Sequence, residues 1–246
     1  MQAPQCRLLP FHVALGAWNM AADESMLEAA ALGVASFRLY GWSQPTLSLG
    51  YFQQHEKCRA DPLLHQLPWV RRPTGGEALV HHHEVTYALA LPAGIPWQRH
   101  GQSWMRRMHI VLTETLHGLG VSAHPCGDEE EKKLGEVLCF LHHTPGDLLL
   151  DDAKVLGSAQ RKQRGALLQH GSILLAASPF APRLLGIRDL TGVTISSEAL
   201  IPAVIDQLTH DTGWTLASGD WHDAEQRRID ELVSGKYAQQ AWNCKR

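Results

Sequence analysis

The 246-residue chain predicts an α+β fold, a mixed β-sheet flanked by helices. Two observations carry this reading. Short runs of strand character fill the middle of the chain, and helical patterns stand at its start, centre and end. A third bears on organisation: there is no internal repeat, low-complexity tract or long linker. The chain therefore reads as one domain over 1–246, with about 195–246 as a helical C-terminal cap.

Residues 19–32 predict a helix with Asn19 as its cap. Ser36–Tyr40 and Thr46–Phe52 predict strands, the second entered through Pro45. Trp69–Arg72 is a strand that stops at Pro73-Thr74-Gly75-Gly76. Glu84–Leu91 alternates, placing Val85, Tyr87, Leu89 and Leu91 on one side. Gln102–Leu119 is a helix with Trp104, Met108, Val111, Leu112, Thr115 and Leu119 on one face. The acidic stretch 126–136 reads as a solvated loop, expected to be mobile for want of apolar anchors. Leu148–Leu150 and Lys154–Ala159 form a hairpin about Asp151-Asp152, and Ala166–Ala176 is a further strand. Ser197–Leu208, begun by a serine cap, and Asp223–Tyr237 are helices.

Composition excludes several classes. With 44% hydrophobic and 19% charged residues, the chain is not a disordered one. A net charge of −3 offers no global basic field for nucleic acid. No apolar run reaches the length of a membrane span, and the N-terminal residues lack the pattern of a secretory signal. Five cysteines, odd in number, widely spaced and without a CxxC pair, fit neither a disulfide framework nor a zinc site. A reducing cytoplasmic setting is expected.

Four segments carry candidate chemistry. Arg71-Arg72-Pro73-Thr74-Gly75-Gly76 pairs a tight turn with two arginines suited to a phosphate or carboxylate; it lacks the ending of a P-loop. Lys154 enters an apolar strand that ends in Gly157-Ser158-Ala159, where an ammonium can polarise a carbonyl or simply reach solvent. The following Arg161-Lys162-Gln163-Arg164 is either a solvated loop or a docking patch for an acidic partner. Cys139 is a core residue or a nucleophile, with His142 and His143 close behind it in sequence. His81-His82-His83 cannot converge on one ion from a strand, so no metal site is expected there. His170 stands before Gly171-Ser172 in a strand.

Taken in order, five motifs form a recognisable series. They are Asn19-Met20-Ala21-Ala22-Asp23-Glu24, Pro45–Gln53, Arg71–Gly76 with His81, Lys154–Gln160, and Leu168–Leu175. Over residues 6–180 this series resembles the biotin/lipoate protein ligase family. Within it, Cys139-Phe140 ahead of the lysine strand is most similar to the cysteine-dependent octanoyltransferases of lipoate assembly. The resemblance implies a mixed-sheet core like that of class II aminoacyl-tRNA synthetases. It implies transfer of octanoyl from an acyl carrier protein, through an acyl-cysteine at Cys139, to a lysine of a lipoyl-domain or glycine cleavage H protein acceptor. It assigns Lys154 to the carbonyl oxygen, and an apolar tunnel to Thr74, Gly75, Gly76, Gly157, Ser158 and Ala159. Arg72, His81 and His170 would line the pocket. Glu77 departs from the glycine or arginine often found in the family. No cofactor is implied.

The rival readings are an ATP-dependent lipoate ligase, which would need Mg-ATP, and an amidotransferase acting between carrier proteins. A non-catalytic acyl- or carrier-binding module and a histidine-based metal hydrolase complete the set. The ligase does not need the cysteine.

Overall fold

The computed structural model describes residues 3–133 and 137–246. The strands are β1 (Gln5–Leu8), β2 (His12–Ala14), β3 (Ser36–Trp42), β4 (Thr46–Leu49), β5 (Trp69–Arg71), β6 (Leu79–His81) and β7 (Glu84–Leu91). They continue with β8 (His124–Pro125), β9 (Lys132–Lys133), β10 (His142–His143), β11 (Leu148–Leu150), β12 (Ala153–Gln163), β13 (Ala166–Leu174) and β14 (Thr215–Ser218). The helices are α1 (Gly16–Ala31), α2 (His55–Arg59), α3 (Trp104–Gly118), α4 (Ile187–Thr191), α5 (Ser197–Thr212), α6 (Asp223–Leu232) and α7 (Gln240–Asn243).

Among the described residues, the main sheet runs β14-β1-β3-β7-β13-β12-β11-β8, with β2 alongside β3. Its β14, β1, β2 and β3 contacts are parallel, and β3 onward is antiparallel. The sheet is mixed and carries helices on both faces, as the α+β reading requires. A smaller sheet, β5-β4-β6, stands apart.

Strand β7 shows how the faces divide. Val85, Tyr87, Leu89 and Leu91 enter one apolar core with Met108, Val111 and Leu112 of α3 and Leu200, Val204 and Leu208 of α5. Ala88 and Ala90 point the other way, into a core with Met20, Met26 and Leu27 of α1 and Ile229 and Leu232 of α6. Alanine there leaves room for α1 to lie close to the sheet. Each large apolar side chain buried this way contributes about 1.5–3 kcal/mol. A third core, including Leu47, Leu49, Leu79 and Phe140, fills the space beneath the smaller sheet.

Several boundaries differ from the sequence reading, for identifiable reasons. Helix α1 begins at Gly16, and Asn19 is not its cap. Asn19 is buried in the second turn, where its amide donates to Gly41 O at 3.0 Å. Strand β4 ends at Leu49 rather than Phe52. A Cβ on Gly50 would lie 1.7 Å from Gly76 O, so the chain leaves the strand to pass the Thr74–Gly76 turn. Helix α5 is capped by Ser196, whose hydroxyl accepts from Ala199 N. Helix α6 stops at Leu232 and continues as a π-turn over Val233–Tyr237. The C-terminal stretch also holds a strand: β14 pairs with β1.

Candidate active site

Three chain segments converge over the cavity face of β12. The first is the segment before β10. Cys139 N donates to Ala78 O at 2.7 Å, Ala78 N to Val137 O at 3.0 Å, and Gln53 Nε2 to Val137 O at 2.9 Å. These bonds and the burial of Phe140 in the third core anchor Cys139. Residues 134–136 of the loop expected to be mobile lie outside the described residues.

The second segment is β12. Lys154 is buried, yet its ammonium is fully provided for. It meets Asp147 Oδ2 at 2.7 Å, donates to His142 O at 3.2 Å, and faces Cys139 Sγ at 3.9 Å. It also sits 5.0 Å from the centre of the Phe140 ring. Gly157 makes this possible, because a Cβ there would lie 2.4 Å from Lys154 Cε and 2.8 Å from Nζ.

The third is the turn after β5. Gly76 holds φ +89°, a left-handed conformation suited to glycine, and brings its Cα side near the Cys139 sulfur. Arg72 staples this turn. Its guanidinium donates to Gly75 O (2.8 Å), Glu77 O (2.7 Å) and Ser48 O (3.1 Å). Arg71 is likewise spent on Gly50 O (2.8 Å), Gln53 O (2.7 Å) and Asn243 O (2.8 Å). Burial holds both guanidiniums below their usual range. The sequence offered these arginines to a phosphate or carboxylate; their donors serve the backbone instead.

Between these segments lies a small, mostly apolar cavity of about 70 Å³. Nine of the eleven residues singled out from sequence border it: Arg72, Gly75, Gly76, His81, Cys139, Gly157, Ser158, Ala159 and His170. The other two stand just behind. Lys154 reaches the sulfur, and Thr74 holds His170 through Oγ1···Nε2 at 2.7 Å.

The two histidines are braced rather than free. His170 Nδ1 donates to Asp23 Oδ2 at 2.7 Å, leaving Nε2 to Thr74. Burial would raise the Asp23 carboxyl, but Arg38 at 2.7 Å and His170 outweigh it and hold it below the usual range. His81 Nδ1 meets Glu84 Oε1 at 2.7 Å, Nε2 meets Ser48 Oγ at 2.7 Å, and its ring stacks on Trp42 at 3.7 Å. Glu84 Oε1 also accepts from Thr86. With both ring nitrogens engaged, neither histidine presents a spare base to the cavity. Among the described residues, no group of three His, Cys, Asp or Glu is arranged to hold a metal ion.

Burial also separates the thiols. It pushes Cys6 up to about 12 and Cys58 to about 11, and raises Cys126. Cys139, half-buried in the cavity wall, is the thiol that lies beside an ammonium.

The family model of the lipoyl protein ligase A/B catalytic domain matches residues 16–181. The chain belongs to this family. Those residues run from α1 to just past β13 and hold every side chain named above as bordering the cavity. A relative from Kyrpidia tusciae, named octanoyltransferase LipM, is 32% identical over 98% of each chain. Another octanoyltransferase LipM, from Geobacillus kaustophilus, is 30% identical over 94% of each. In fold, the chain is similar to a lipoate-protein ligase A bound with ATP (TM-score 0.80, 20% identity, 98% of each chain). It is also similar to a bi-partite lipoate protein ligase from Thermoplasma acidophilum, solved in work on that ligase and its E2 lipoyl domain (TM-score 0.77, 18% identity, 99% of this chain and 97% of that one).

Sequence reasoning missed several contributors. Asp147, the carboxylate partner of Lys154, was passed over in a turn-like Pro-Gly-Asp. Met20, Tyr40, Trp42, Thr86 and Ser172 border the cavity from α1, β3, β7 and β13. Met20 and Ser172 stand inside two of the quoted motifs, and polar Thr86 and Ser172 occur within apolar strands.

Proposed function

We propose that this chain is an acyltransferase that moves an octanoyl group onto a lysine of a lipoyl-carrier protein through an acyl-cysteine at Cys139. The observation that carries the proposal is the Cys139–Lys154 pair, 3.9 Å apart at the wall of a mostly apolar cavity, in a chain whose relatives are named octanoyltransferases. An adenylating ligase has no use for a sulfur at that position.

The donor is an acyl carrier protein bearing octanoyl as a thioester. The Cys139 sulfur, as thiolate opposite the Lys154 ammonium, attacks the thioester carbonyl. A carbon–sulfur bond forms at Cys139 and the bond to the carrier sulfur breaks. The departing thiolate takes a proton from Lys154. In the second half-reaction, the neutral ε-amine of the acceptor lysine attacks the acyl-cysteine. Its excess proton returns to Lys154, and Cys139 leaves as thiolate, so the starting pair is restored. The first exchange is close to isoenergetic and the second runs downhill from thioester to amide, so no nucleotide is consumed.

The remaining residues position the acyl chain. Gly157 and Ala159 on β12 and Gly75 and Gly76 on the opposite turn leave space, while Arg72 fixes the turn. His81 and His170 act as braced walls. The test is an acceptor assay with two donor mixtures. Octanoyl-acyl carrier protein alone should modify a lipoyl-domain lysine. Modification that requires free octanoate or lipoate with ATP and Mg²⁺ would overturn the reading in favour of a ligase.

A further inference from the structure

We propose that His109 on α3 is a positioning residue for the Cys139–Lys154 pair, acting through the Gly146-Asp147 turn. The inference rests on the reading of that pair given above.

His109 is buried and lies on the opposite side of β12 from the cavity, yet it is wired to the turn that holds Lys154. Its Nδ1 lies 2.5 Å from Gly146 O, and its Nε2 lies 2.7 Å from Ser158 Oγ. A carbonyl only accepts, so Nδ1 carries the proton. In the neutral ring, Nε2 must then accept, and Ser158 donates to it. Ser158 Oγ in turn accepts from Tyr87 OH at 2.7 Å, and Tyr87 OH accepts from Gln169 Nε2 at 2.7 Å. Gln169 Oε1 accepts from Gln160 Nε2 at 2.7 Å. Every donor in this chain therefore points toward the Gly146 carbonyl. The sheet fixes the tautomer, and the tautomer fixes the bond to the turn.

Gly146 has φ +94°, so the turn adopts a backbone that few residues favour. Asp147 follows at once. Its Oδ2 accepts from Thr144 N (2.9 Å), from Thr144 Oγ1 (2.7 Å) and from Lys154 Nζ (2.7 Å). Cys126 ties the same turn from its other side, through Cys126 N to Asp147 O at 2.6 Å and Gly146 N to Cys126 O at 2.9 Å. His109 pins it against the sheet from the α3 side, as Lys154 holds it from β12. The charged groups facing His109 are Asp147 and Lys154; burial, helped by the Lys154 ammonium, outweighs the Gly146 contact and Asp147 and keeps the ring below its usual range. It stays neutral where the relay needs it to.

A bland alternative exists: His109 is a satisfied core histidine that merely helps seat α3. Two variants separate the readings. Asn places an amide N–H where Nδ1 stands and can keep the Gly146 bond while losing Ser158. Gln reaches toward the Nε2 position and keeps only Ser158. Both shorten the packing surface, so both lower the melting temperature. The readout is the rate at which iodoacetamide alkylates Cys139 at neutral pH, mapped by peptide mass spectrometry, alongside the single-turnover rate of octanoyl transfer. Alkylation reports the Cys139 surroundings whether or not octanoyl is the substrate, so failure here is distinct from failure of the proposed function.

The proposal expects H109Q to slow both rates by roughly 10- to 100-fold, the scale of a 1 Å misplacement. H109N should stay within a few-fold of the parent. Equal rates in folded H109N and H109Q, or a slower H109N, would overturn it and leave His109 as packing. If H109Q fails to fold, Asp147→Asn supplies the second measurement. It weakens the link from turn to ammonium, and combining it with His109→Ala, which loses both the Gly146 and the Ser158 contacts, must then add nothing further to the alkylation defect; full additivity also overturns the proposal.

Discussion

Lys154 Nζ lies 2.7 Å from Asp147 Oδ2, with both side chains almost wholly buried, and the same nitrogen faces the Cys139 sulfur at 3.9 Å. The ammonium thus has one partner that holds it and another that it can serve. Removing one member of a buried ion pair leaves an uncompensated charge, at a cost of about 3–5 kcal/mol. Lys154→Met should destabilise the chain on that scale in urea unfolding, and Lys154→Met with Asp147→Asn should recover part of the loss. Equal stability of the single and double variants would show that the pair is not coupled.

Gly157→Ala addresses the same ammonium from below. The added methyl would sit 2.4 Å from Lys154 Cε, and the flexible end of the side chain must yield. Octanoyl transfer should fall by roughly 10- to 100-fold, with a smaller drop in melting temperature than Lys154→Met causes. A variant with full activity would mean that the ammonium position is not critical.

The order of the chain hid most of these relationships. The strands could be read because each carries its own local signal: β7 alternates, β12 and β13 are bounded by Asp151-Asp152 and Arg164-Gly165, and Pro45 and Pro73 mark breaks. Cys139, Lys154 and the Gly75-Gly76 turn could be singled out because they recur as a series of motifs. Asp147 and His109 could not. Their importance comes from contacts between distant elements, α3 to the turn before β11, and nothing in the residues around them announces such a partner. Arg71 and Arg72 show the converse. Their motif was visible, but only the fold reveals that backbone carbonyls take up their donors.

His170 ties Thr74 in the cavity turn to Asp23 in α1. Thr74→Val leaves His170 Nε2 without its partner and loosens the turn. We expect about 1–3 kcal/mol of destabilisation together with a raised KM for the acyl donor. A change in stability alone would confine this network to a structural role.

Acid should weaken the fold through specific carboxyls. Asp23 and Glu225 are both held below their usual range. Burial works against this in each case, and Arg38 and His170 overcome it for Asp23, Arg7 and the His222 amide for Glu225. Between the lowered folded values and the ordinary unfolded ones near about 4, the unfolded chain binds more protons, so stability rises with pH. This stabilisation is complete above the ordinary range and is lost as pH falls through the folded values. Urea midpoints measured below about pH 5 should drop steadily, and Glu225→Gln should flatten that slope. An unchanged slope in the variant would remove Glu225 from the account.

The most direct measurement is intact-protein mass spectrometry after mixing the chain with octanoyl-acyl carrier protein, without ATP, beside Cys139→Ser. One octanoyl adduct, released by hydroxylamine in the parent and either absent or resistant as an ester in the variant, is the predicted result. A hydroxylamine-labile adduct that persists in Cys139→Ser, or none in the parent under conditions where the acceptor is still modified, would contradict transfer through Cys139.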